Sequence, residues 1–144
     1  MPALHSLARV HNWVLNEKRQ RLAGLEDLAG KMRSDLATLE KQIEDEQRVA
    51  AGSMEGAIAF PAFVEAALER RKRLSKSIAN LERAIEAARD EVHEAFQEAK
   101  KFELARDNNE RRARDRRARR DQAELDELGV TKYERSRRLE RDKS

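Results

Sequence analysis

Apolar residues recur every seven positions along two long stretches of this chain. The first stripe reads Leu15, Leu22, Ala29, Leu36, Ile43 and Ala50, with Lys18, Leu25, Met32, Leu39 and Glu46 three residues after its first five members. The second reads Phe60, Ala67, Leu74, Leu81, Ala88, Ala95 and Phe102, interleaved with Val64, Arg71, Ile78, Ile85, Val92 and Ala99. Spacings that alternate three and four keep one seam of a helix turned toward a partner helix, which is the condition for a coiled coil. Two seams flanking one break predict an all-α fold, a long two-helix antiparallel coiled-coil hairpin.

The break runs from Ala51 to Ala59 and holds Gly52, Ser53 and Gly56, residues that favour a chain reversal. Helix one is expected over about 3–49, a loop over about 51–60, and helix two over about 61–128. Pro61 suits a first helical turn, where a missing N–H is harmless, and Gly129 suits a C-terminal cap. Residues 1–129 read as a single coiled-coil domain, and 130–144, which lack periodicity, as a disordered tail.

Register can be judged from the matching of large and small layers. If facing residues have numbers summing to 110, Leu22 meets Ala88, Ala29 meets Leu81, Leu15 meets Ala95 and Met32 meets Ile78. A shift of one heptad, to 117, sets Ala29 against Ala88 and Ala50 against Ala67, two under-filled layers. Close packing therefore favours 110. In that register the N-terminus reaches about residue 108, and helix two continues alone for roughly five turns or more.

Composition sharpens this picture: 41% of residues are charged and 4% aromatic, with no cysteine. Such a balance with strong periodicity describes exposed helices, and the cysteine count excludes a disulfide framework or a thiolate metal site. Residues 1–105 hold 17 Lys/Arg against 18 Asp/Glu, whereas residues 106–144 hold 14 against 10. No apolar run approaches the ~20 residues of a membrane span, and the N-terminus has no continuous apolar core of a signal peptide. A cytoplasmic location is expected.

Two groups of residues stand out as partner-binding candidates. Arg111, Arg112, Arg114, Arg116, Arg117, Arg119 and Arg120 crowd ten positions of the unpaired extension. They suit an acidic protein surface or a phosphate backbone. No aromatic residue interleaves them to stack on bases, which disfavours nucleic acid. The bland reading is a solvated helix with pairs such as Arg117–Asp121 and Arg120–Glu124 at i,i+4. Val10 and Trp13 lie outside the seam, with Leu7 and Val14 nearby. Trp13 either meets a partner or folds over helix two. His5, His11 and His93 do not share the spacing of metal ligands. No catalytic motif or phosphate loop is present, so no enzymatic activity, cofactor, metal or small-molecule substrate is expected.

The segment Leu7-Ala8-Arg9-Val10-His11-Asn12-Trp13, with Glu17-Lys18-Arg19 and Leu22-x-x-Leu25, resembles the start of the flagellar export protein FliJ family. Phe60-Pro61-Ala62-Phe63, Leu68-Glu69-Arg70-Arg71, Glu94-Ala95-Phe96, Lys100-Lys101 and the arginine run resemble its alphaproteobacterial members. The resemblance covers nearly the whole chain. It implies a two-helix coiled coil similar to a rotary ATPase stalk, acting in flagellar type III protein export. Implied partners are the hexameric export ATPase, the cytoplasmic domain of the membrane-embedded export gate, and export chaperones, with a monomer when isolated. Virulence-secretion stalk proteins share the architecture and stay open as an alternative, as does a basic nucleic-acid-binding coiled coil.

Overall fold

A computed structural model of the chain describes residues 2–143; Met1 and Ser144, the outer ends of the expected domain and tail, lie outside the described residues. Two α-helices account for them, α1 (Pro2–Gly52) and α2 (Met54–Lys143), packed as an all-α helical hairpin. The contacts divide the chain into two units, one formed by His11–Ala99 and one by Met1–Val10 with Lys100–Ser144, where the sequence suggests one coiled-coil domain.

Within His11–Ala99 the seam is thin. Leu15, Ala29 and Leu39 of α1 are buried, as are Ala67, Ile78, Ile85, Ala88 and Ala99 of α2. All are members of the two stripes. Of the charged members, Arg71 and Glu46 are exposed, whereas Lys18 is half-buried and held by Glu91 at 3.1 Å, which offsets its desolvation. Charged pairs flank the seam: Arg33–Glu82 at 3.0 Å, Glu26–Arg89 at 3.4 Å, Lys18–Glu91 at 3.1 Å and Arg21–Glu91 at 3.9 Å.

These pairs are compatible with a register of 110. Helical side chains lean toward their own N-terminus, so long flanking residues of an antiparallel pair meet at sums a few above that of the layers. The pairs sum to 115 on one flank and to 109 and 112 around Glu91. At 117, Lys18 and Glu91 would stand about 12 Å apart along the axis. Ala29 lines a groove with Ile85, and Met32 lines one with Leu81.

The turn is shorter than the sequence suggests. Only Ser53 separates α1 from α2, so the loop expected over 51–60 contracts to a single residue and helix two starts at Met54. Ser53 is the N-cap: its Oγ accepts the Gly56 N–H at 3.0 Å, and its carbonyl accepts the Ala57 N–H at 3.1 Å. Glu55 adds a favourable negative charge to the first turn. A Cβ on Gly56 would stand 2.8 Å from Ser53 Oγ, 3.1 Å from the Val49 carbonyl oxygen and 3.2 Å from Ala50 Cα. The close approach of α2 to the end of α1 therefore requires glycine there. Pro61 falls inside α2 instead of at its start, and its missing N–H leaves the Ala57 carbonyl to solvent.

In the other unit, Ala8 is fully buried and His5 Nε2 meets Glu110 Oε1 at 2.9 Å. Beyond that pair α2 runs on through Gly129 to Lys143, so residues 130–143, expected as a disordered tail, are helical. Gly129 has no positive φ and caps nothing. Every residue from Arg114 to Lys143 is exposed.

Candidate partner-binding surfaces

The seven arginines of residues 111–120 stand on the part of α2 that α1 does not cover. At 100° per residue they spread around the whole circumference. Among the described residues none of the seven forms an ion pair, and Arg117 Nε donates only to the Ala113 carbonyl at 3.5 Å. The i,i+4 pairs Arg117–Asp121 and Arg120–Glu124 are not formed. Exposed pairs of this kind are worth about 0.3–0.5 kcal/mol, comparable to the cost of ordering two long side chains. The bland reading thus loses its specific contacts, and the guanidiniums are available to an external partner.

Before Glu110, which meets His5 of α1, Arg106 is half-buried and held by the adjacent Asp107 at 3.3 Å. The basic surface that remains open to a partner therefore begins at Arg111.

On α1, Val10 is exposed, and Trp13 keeps 62% of its surface in solvent. The indole does not fold over α2. Val14 is half-buried and Leu7 exposed. A solvated tryptophan is a large apolar area held ready at low conformational cost, a residue type enriched in binding hot spots.

Several exposed apolar residues escaped the sequence reading. Met54 and Ile58, 81% and 76% exposed, stand one turn apart at the start of α2. Their signal was the single charge, Glu55, between Val49 and Val64. Leu125, Leu128, Val130, Tyr133 and Leu139 are also exposed on the final part of α2. Of these, Leu125 and Leu139 share a sevenfold series with Lys132, out of phase with the seam.

Among the described residues, the perturbed titration is that of Glu91. The Lys18 ammonium, hydrogen-bonded to it and attracting it, holds its carboxyl below the usual glutamate range, with a smaller pull from Arg21. This group belongs to the seam's flank and not to a reaction centre. Among the described residues, no three His, Cys, Asp or Glu side chains come together as a metal site, and no helix is long and apolar enough to cross a membrane.

The family profile described as "Flagellar FliJ protein" matches residues 1–138. Neither a curated relative nor a solved structure matches the chain.

Proposed function

Because the chain belongs to the FliJ family, and is thereby a component of flagellar type III protein export, we propose that it is the non-enzymatic stalk of that apparatus. In this reading it binds the hexameric export ATPase, links it to the cytoplasmic domain of the export gate, and meets export chaperones. It works in the cytoplasm, peripheral to the membrane-embedded gate. The observation that carries the reading is the set of seven arginines without ion-pair partners on exposed α2.

A partner touching one side of α2 would reach only some of these guanidiniums. A ring of subunits that encloses the helix can reach all seven, and an acidic lining would gain charge-assisted hydrogen bonds from each. Trp13 and Val10 supply apolar contacts on α1, so that affinity does not rest on screened charges alone.

The test is capture of the flagellar export ATPase by the full chain and by a variant with all seven arginines changed to glutamine. Glutamine keeps a good helix former at each position while removing the charge. Capture should fall at least about tenfold, the loss of roughly 1.4 kcal/mol, and Trp13→Ala should weaken it separately. Unchanged capture by the glutamine variant would remove the arginines from the mechanism. Tight DNA or RNA binding at physiological salt, without ATPase capture, would replace the stalk reading with nucleic-acid binding.

A further inference from the structure

Charge along exposed α2 falls into two adjoining blocks. Residues 111–120 contain seven arginines and one acid, Asp115, while residues 121–127 contain Asp121, Glu124, Asp126 and Glu127 and no base. Through both blocks runs a sevenfold stripe of Ala118, Leu125, Lys132 and Leu139, with Leu128 three residues after Leu125. Leu125, Leu128 and Leu139 are exposed. Ala113 is the last half-buried residue of α2 among the described residues. Ala118 lies five residues further on, about 140° around the helix. The stripe is therefore open to solvent.

We propose that this stripe docks a second copy of the chain in antiparallel orientation, centred near Asp121. Laying one copy against another in this sense sets Arg116, Arg117, Arg119 and Arg120 of each on Glu124, Asp126 and Glu127 of the other. A parallel arrangement would set arginines on arginines and repel. In the antiparallel arrangement Ala118 of one copy faces Leu125 of the second, and Leu125 faces Ala118, a large residue against a small one in both layers. At the flanking position Arg117 of each copy faces Glu124 of the other. The contact is isologous, as a two-fold dimer requires. Asp121 near its own copy, and Lys132 of each copy opposite Arg111 of the other, are like-charge contacts that keep the association modest. The intramolecular hairpin seam is untouched, so each copy stays a folded hairpin. The proposal rests on charge order and the exposed stripe, independently of the stalk reading. It makes self-association and partner binding compete for the same arginines.

Sedimentation velocity of the full chain, up to about 200 µM in about 50 mM and then 500 mM NaCl, tests this. At low salt a monomer–dimer equilibrium is expected, weakened at least about tenfold at high salt. Arg117→Glu and Glu124→Arg should each weaken it at least about tenfold, because each leaves like charges facing across the interface. The double variant should recover to within about threefold, since the reciprocal pair is restored with its signs exchanged. Within one chain these residues stand about 10 Å apart along the helix, too far to rescue each other. Unchanged helical circular dichroism in all three variants excludes unfolding as the cause. A chain that stays monomeric at the highest concentration overturns the proposal. So does a dimer indifferent to the single variants, or a double variant that is not rescued.

Discussion

Gly56 and Gly30 show how one residue type carries opposite meanings in the same protein. Nothing lies within 4 Å of a Cβ built on Gly30, whereas one on Gly56 meets the backbone of Val49 and Ala50. Alanine in a helix is favoured over glycine by about 1 kcal/mol. Gly30→Ala should therefore raise stability by about 0.5–1 kcal/mol in urea denaturation. Gly56→Ala should lower it by a similar amount, because the helix-propensity gain is outweighed by the forced separation of α1 and α2 and the displaced Ser53 cap. Glu91 makes a second prediction at this scale. Its folded-state pKa is lowered by Lys18, so the pair's contribution is present above the ordinary glutamate range and is lost as pH falls through it, below about pH 4. Glu91→Gln should therefore lower stability modestly near neutrality, change little in acid where Glu91 is protonated, and so flatten that part of the stability–pH curve.

At the scale of the element, α2 begins seven positions earlier than its proline suggests. Ser53 supplies the cap and Glu55 a favourable first-turn charge; Pro61 is then tolerated in the second turn at the expense of one backbone hydrogen bond. Pro61→Ala should stabilise the chain by about 1 kcal/mol or more, seen as a higher thermal midpoint, because the Ala57 carbonyl regains its donor. A lower midpoint would mean that proline's fixed φ helps set the turn. Leu39, only 4% exposed, is one of the few large side chains in the seam. Leu39→Ala should cost about 2–3 kcal/mol, at the low end for a core leucine, because so thin a seam collapses easily around the gap.

For the molecule as a whole, burial and charge are unevenly shared. The flanking ion pairs and most buried stripe residues belong to His11–Ala99, whereas α2 from Arg114 onward buries nothing. Truncation after Ala113 should therefore leave the thermal midpoint of the hairpin nearly unchanged while lowering total helical signal. A drop in midpoint of more than about 5 °C would show that the extension supports the fold. A 30-residue helix without packing draws its stability from propensity alone, so its amides should exchange with solvent much faster than those near Ile85.

Sequence alone determined the secondary-structure class, the antiparallel pairing of two seams and the long basic extension, because a heptad is a local, repeated signal that neighbouring heptads reinforce. It did not determine the turn. Gly52, Gly56 and Pro61 carried more weight there as breakers than Ser53 did as a cap, although Ser53 with Glu55 two residues later was readable as a helix start. The register it favoured, by setting large layers against small ones, is compatible with the flanking ion pairs. Arg33 with Glu82 and Glu26 with Arg89 share one sum, a clue in the flanking charges that side-chain volume does not carry. The outward Trp13 and the lack of ion pairs along the arginine run were decided only by the tertiary structure. Whether an exposed side chain folds back or pairs depends on small free-energy differences set by what stands beside it, and no local pattern records them.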